Sequence, residues 1–438
     1  MTTRYFFSLV FAGSFLTSCT SNINKPKIDS LLNALAAKHQ GIGSIAIAQN
    51  GHEVYQKSVG VAYPHPAATD MRYRIGSITK MFTAVMIFKL IGENKLQLTT
   101  PLSAFFPQIP NAAKITIKMM LGHRSGMHDF TMDPAYGTYY TKPQSHAEML
   151  IRMAAQKPDF EPDKTTAYCN NNFVLLGYII EQLTGNSYSQ ALKEMITSRI
   201  GLANTFYGEQ KNNALNEAQP FIWRNGQWEQ TPLTDLSIPA GAGAIISNTS
   251  DMLKFIQALF NGELVAPAQL DLMKPELGNF GLGMFKFDFF GNTSYGHTGN
   301  IDGIFAEIGY FPKEKLAVTY YSNGGAYPRN EVLNGVMRIY FNLPYTLPTF
   351  KVTRLSAAKL TPYLGTYTSK DTPIKITITA NDGELDMEIP GQQPFPLQPI
   401  SANSFESKMY STTLSGGTAQ NIIVISHGDQ RLSFSLER

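Results

Sequence analysis

The segment 74–90, RIGSITKMFTAVMIFKL, sets a hydroxyl (Ser77) three residues ahead of an amine (Lys80) at the mouth of a run that is otherwise almost wholly apolar. Residues three apart on a helix share a face. Met81, Phe82, Ala84, Val85, Met86, Ile87, Phe88, Leu90 and Ile91 surround the axis on nearly every side, so residues 78–91 are expected to form an interior helix. Lys80 is then desolvated, which disfavours its ammonium form, and an easily neutralised amine beside a hydroxyl can serve as a base. With the helix beginning near Ser77, the hydroxyl sits among the free N–H groups of a helix N-terminus, which suit a developing oxyanion. The bland alternative is a lysine snorkelling from a core helix and a serine that only caps it. The SxxK pattern by itself is cheap: it recurs at Ser356-Ala357-Ala358-Lys359 with no apolar helix behind it.

The chain around this helix has 438 residues, long enough for two or more domains and a large core. Its 43% hydrophobic and 16% charged residues describe a globular protein, and a net charge of +3 without a basic run excludes a nucleic-acid footprint. Residues 28–39 have the pattern of a first helix, and 42–63 that of a hairpin turned at Asn50-Gly51. From 100 to 260 the pattern is mainly helical. Gly185 is a stop for the helix in NNFVLLGYIIEQLTG, Ser187 with Gln190 fits a capping box, and Asn248 or Ser250 caps a helix that ends at Gly262. Strand character returns in IFAEIGYFPKEKLAVTYYSNGG (304–325). Strands at both ends with helices between them predict an α+β fold, one mainly antiparallel sheet built from both ends of the domain with a helical region inserted. The expected first domain is 28–343, followed by a Pro-containing linker, 344–352, and a tail, 353–438, of about eight short alternating strands forming a small barrel or sandwich.

Before this, Arg4 and the apolar stretch Tyr5–Leu16 have the form of a secretory signal, too short to span a bilayer. Leu16-Thr17-Ser18-Cys19 resembles the lipobox of bacterial lipoproteins. The resemblance implies cleavage after residue 18, a lipid on Cys19, a tether over 19–27, and a place in the cell envelope, anchored to a membrane through that lipid. With Cys19 so committed, Cys169 has no partner for an intramolecular disulfide.

Two further motifs stand downstream. Tyr168 and Asn170, in TTAYCNNNF, lie just before a helix, where a phenol and a carboxamide can be aimed into a cleft; the same Tyr-x-Asn pattern at 321–323 and 340–342 lacks that context. His297, Thr298 and Gly299, in SYGHTGNIDG, are expected in a turn just before a strand, with the glycine admitting a substrate backbone. Cys169, between Tyr168 and Asn170, is expected to point away from them as a buried thiol. His123, His128 and Asp129 fit no standard metal spacing, and no cofactor or metal is expected.

In this order and at these separations, Ser77-x-x-Lys80, Tyr168-x-Asn170 and His297-Thr298-Gly299 resemble the three signature motifs of the penicillin-recognising serine hydrolases, a superfamily of class C β-lactamases, D-Ala-D-Ala carboxypeptidases, D-aminopeptidases and related esterases. The resemblance implies that Ser77 is acylated, that Lys80 and Tyr168 share the base and proton-shuttle work, and that Asn170 holds the substrate amide and orients Lys80. It further implies an oxyanion hole from the backbone N–H groups of Ser77 and Asn300, with His297, Thr298 and Gly299 lining the substrate site. Most class C β-lactamases carry lysine where this chain has His297, which turns the expectation toward a D-Ala-D-Ala carboxypeptidase-like enzyme acting on a small peptide, amide or ester. A β-lactamase or carboxylesterase is the alternative within the class, and a slow penicillin- or peptidoglycan-binding sensor the alternative outside it.

Overall fold

The computed structural model describes residues 23–437 apart from 63–64, 67–70, 209–215, 225–226, 277, 326, 349–354, 373, 382, 390–393, 402, 408–411, 418–421 and 428–429. The lipobox-like residues and Cys19 therefore lie outside the described residues.

Helix α1 (Lys25–Ala37) is capped by Asn24, whose side chain accepts from the Lys27 N–H. The expected hairpin follows as β1 (Ile42–Gln49) and β2 (His52–Val59), turned through Asn50 and Gly51, both at positive φ. After it come α2 (Thr79–Gly92), α3 (Asn170–Thr184) and α4 (Thr249–Phe260), then β3 (Phe285–Phe289), β4 (Asn292–Ile301), β5 (Ile304–Phe311), β6 (Leu316–Gly324) and α5 (Arg329–Tyr340). The main sheet runs β3-β4-β5-β6-β1-β2, antiparallel at every step, with two short strands, Phe221–Arg224 and Gln227–Gln230, attached beside β6. The first strands of the domain thus pair with the last, the α+β arrangement expected from the order of elements.

Both faces of this sheet are covered, and β1 shows how the sequence arranges it. Ile45 and Ile47 join the apolar cluster with Leu31, Leu32 and Leu35 of α1 and Val332, Val336 and Met337 of α5. Ala46 and Ala48 face the opposite way, into the larger cluster that holds α2, α3 and α4. Period-2 alternation separates the two sets, and the small alanines leave room for α4 against the strand. Burial on both sides explains why this stretch is apolar throughout instead of alternating with polar residues.

Local signals account for several helix ends. Gly185 at φ +70 ends α3, its N–H bonded to the Glu181 carbonyl. Asn248, not Ser250, caps α4 by accepting from the Asp251 N–H. Ser187 caps its helix by accepting from Gln190 N–H, but the reciprocal half of the capping box does not form: the Gln190 amide turns to Glu194. Beyond the domain, eight strands from Gly365–Thr368 to Gln430–Leu436 close into a barrel around Tyr367, Ile378, Leu385, Leu397, Phe405 and Leu414. Closure leaves no free sheet edge. The second SxxK, Ser356 to Lys359, falls in an exposed single-turn helix at the barrel's entry.

Candidate active site

α2 is interior as its composition requires: residues Thr79 to Phe88 and Leu90 are all buried, Lys80 with no exposed surface. Ser77 lies in the single 3-10 turn Gly76–Ile78 that leads into it. Strand β4 runs directly against this turn, and two glycines make that possible. A Cβ on Gly299 would stand 2.0 Å from the Ile75 carbonyl oxygen, and one on Gly76, at φ +51, would stand 3.0 Å from the Asn300 nitrogen. This corrects two expectations about the third motif. His297, Thr298 and Gly299 lie within strand β4, not in a turn before a strand, and the glycine admits the protein's own backbone where a substrate's was expected. The result brings the backbones of Ser77 and Asn300 side by side at the cleft, along with Thr298.

α3 supplies the second motif. Cys169, in extended conformation, precedes the helix, so Tyr168 and Asn170 share one side and the thiol points the other way into the core. Burial pushes that thiol's pKa well up and keeps it neutral. The Asn170 side chain is doubly fixed: its Nδ2 donates to Asp129 Oδ2 at 2.9 Å, which turns Oδ1 toward Lys80 at 2.8 Å.

The lysine amine is held by three oxygens, Ser77 Oγ at 2.9 Å, Asn170 Oδ1 at 2.8 Å and the Ala242 carbonyl at 2.9 Å. Burial lowers its pKa to about 7, against the opposing pull of Asp129. A neutral amine has two N–H donors and one lone pair. Asn170 Oδ1 and the Ala242 carbonyl can only accept, so they take both donors, and the lone pair is left facing the Ser77 hydroxyl. Tyr168 lines the cleft beside Ser77, and burial drives its phenol pKa far above the usual value, so it remains a phenol at any neutral pH. Of the two groups expected to share the base work, only the lysine is poised to lose its proton near neutrality.

Two histidines flank the phenol. His123 stacks on the Tyr168 ring, centroids 4.4 Å apart, and its Nδ1 accepts from the Cys169 N–H at 3.1 Å. His297 stacks on Phe285 at 4.0 Å. Its Nδ1 must carry the hydrogen it donates to the Thr298 carbonyl, which leaves Nε2 bare, buried and without a hydrogen-bond partner. Burial, with Lys80 nearby, lowers the His297 pKa to about 3, so the ring is neutral.

Sequence reasoning passed over Asp129 except as a rejected metal ligand. Its Oδ2 accepts from the Asn170 N–H and Nδ2, and its Oδ1 from the Thr131 N–H and hydroxyl, all within 2.9–3.0 Å. Three of the four partners are N–H groups that can only donate, an arrangement that suits a carboxylate. The signal was present: an acidic residue between Met127 and Phe130, both buried, needs a partner to stay there. The three residues weighed as a metal set diverge in the fold, since His128 pairs with Asp159 at 2.8 Å while His123 and Asp129 serve Tyr168 and Asn170.

Residues 28–339 match the family model described as Beta-lactamase, and the chain belongs to that family, as one of its serine hydrolases. Penicillin-binding protein 4* of Bacillus subtilis (strain 168) is 24% identical over an alignment covering 93% of this chain and 98% of that protein. The crystal structure of D-amino acid amidase from Ochrobactrum anthropi SV3 superposes with a TM-score of 0.66 at 26% identity, covering 73% of this chain and 98% of the amidase. An octameric penicillin-binding protein homologue from Pyrococcus abyssi, at 21% identity and a TM-score of 0.64, covers 94% of this chain and all of its own. That likeness extends the shared fold through the barrel.

Proposed function

We propose that the protein hydrolyses a D-amino-acid-containing amide, peptide or ester through an acyl-enzyme on Ser77. The lone pair of Lys80, left facing the Ser77 hydroxyl because two pure acceptors occupy its N–H groups, is the observation that carries this reading. Ser77 Oγ attacks the acyl carbon and its proton passes to Lys80 Nζ. The Ser77 and Asn300 N–H groups receive the negative charge that develops on the carbonyl oxygen; losing one such donor typically costs roughly 100- to 1000-fold in rate. The ammonium returns its proton to the departing nitrogen or oxygen, with the Tyr168 phenol beside Ser77 on the path, and the leaving group departs neutral. Water then attacks the acyl-serine ester, Lys80 accepts a proton from it, and proton return to Ser77 Oγ releases the acid. The likeness to a D-amino acid amidase supports the amide among the possible substrates.

An activated-serine fluorophosphonate probe tests the nucleophile. It should label the wild type at Ser77 and leave Ser77→Ala unlabelled; equal labelling of the two removes Ser77 from its role. We further propose that Cys19 carries a lipid that anchors the enzyme in the cell envelope, on the strength of Leu16-Thr17-Ser18-Cys19. Detergent-phase partitioning should then be lost in Cys19→Ser, and partitioning that survives the change refutes the anchor.

A further inference from the structure

The cleft in front of Ser77 has a volume of about 320 Å³. Its described lining contains no lysine, arginine, aspartate or glutamate. The wall is aromatic and aliphatic through Phe130, Tyr136, Phe285 and Ile301, and its polar groups are neutral hydroxyls, amides and one imidazole.

Two cations close to this space among the described residues are already committed. Lys80 lies behind Ser77 with its three oxygens. Arg74 reaches the edge of the cleft only to bond the Thr234 carbonyl, and its guanidinium is paired with Glu217 and Asp302. His297 supplies a bare Nε2 lone pair. A carboxylate brought to such a surface would leave water and meet no cation among the described lining residues. An uncharged group at the same place needs no such cation, and an N–H or O–H that reaches the buried Nε2 of His297 meets an unused acceptor. Burying a charge without a partner is among the costliest exchanges a site can make.

Resting on the acyl-enzyme reading above, we propose that the substrate is uncharged where it meets His297: a carboxamide, or an ester or amide with a hydrogen-bond donor there, in preference to a peptide ending in a free D-amino-acid carboxylate. The chemistry of acyl transfer is unchanged; what the cleft selects is a neutral leaving portion. This moves the assignment away from the carboxypeptidase-like expectation raised by the sequence motifs and toward an amidase or esterase.

The test compares two substrates with the same scissile bond, N-acetyl-D-alanyl-D-alanine and its C-terminal carboxamide. The carboxamide should have the higher kcat/KM by about tenfold or more, the scale of leaving one charged group without a partner. His297→Lys, which adds a cation, should narrow or reverse that ratio, and Phe285→Lys on the part-exposed wall serves as the second variant should the first fail to fold. A free acid turned over as well as the carboxamide, or a ratio unmoved in both folded variants, overturns the proposal. Turnover of neither substrate by an enzyme that still labels at Ser77 also overturns it while sparing the nucleophile; loss of labelling strikes the acyl-enzyme reading instead.

Discussion

Asp129→Asn separates the charge of the buried carboxylate from its shape. In the wild type Asp129 accepts four hydrogen bonds, two from Asn170 and two from Thr131. The asparagine can turn its one oxygen to Asn170 and let the Thr131 hydroxyl accept from its amide, which orphans the Thr131 N–H at a cost of about 1–3 kcal/mol in stability. Asn170 then keeps its orientation toward Lys80, but the negative charge is gone. Two hydrogen bonds, 2.9 Å and 2.8 Å, joined across the carboxamide put the Asp129 oxygen within about 8 Å of the Lys80 amine. At an effective dielectric of about 20 that separation is worth roughly 2–3 kcal/mol, or about one to two pH units. The sign is fixed: the carboxylate favours the ammonium, so removing it lowers the lysine pKa below the wild-type value of about 7. The free amine therefore persists to lower pH, and the acid limb of the acylation rate moves down. The assay is the rate of Ser77 labelling by a fluorophosphonate from pH 5 to 9, with thermal melts confirming a folded variant. A limb that stays near pH 7 or moves up in folded Asp129→Asn refutes the claim that this carboxylate tunes the lysine.

Lys80→Arg keeps a charge that cannot be shed near neutrality, so acylation should fall by roughly 100-fold or more and lose its limb near pH 7; a rate and profile like the wild type's would remove Lys80 from the role of base. Gly299→Ala forces a Cβ to within 2.0 Å of the Ile75 carbonyl oxygen. Overpacking at that crossing should cost about 1–3 kcal/mol and slow Ser77 labelling, and a variant with wild-type melting and labelling would mean the two backbones can separate freely.

The parts of this structure that depend on periodicity were legible in the chain before its fold was known. The apolar circumference of α2, the Asn50-Gly51 hairpin, the alternating strands of the tail and the Gly185 stop each follow from short-range rules, and each is where those rules put it. The site residues were legible as types in order, because a hydroxyl, a buried amine and a phenol carry their chemistry with them. What escaped was whatever depends on a neighbour distant in sequence. Nothing near Ala242 announces that its carbonyl will accept from a lysine 162 residues earlier. Asp129 looks like a loop acid until Asn170 is set beside it. Gly299 was correctly singled out for close approach, but the approaching group is the Ile75–Ser77 turn, a partner that sequence spacing does not reveal. His297 looked like a turn residue because glycines flank it on both sides, whereas the strand tolerates those glycines to let adjacent backbones in.

The crossing of β4 over the 75–77 turn also bears on how the molecule comes into being. Ser77 and Asn300 are made some two hundred residues apart, and β1 must wait for β6, synthesised long after it, before the centre of the sheet exists. Contacts of such sequence separation pay their loop-closure entropy before they return anything. The α2–α3 helical body can collect early around its own apolar core, with Lys80 already enclosed, while the oxyanion side of the cleft is still missing. A nascent or truncated chain that ends before residue 300 would thus hold a nucleophile and its base without the strand that completes them. Reactivity would be the last property the folding chain acquires.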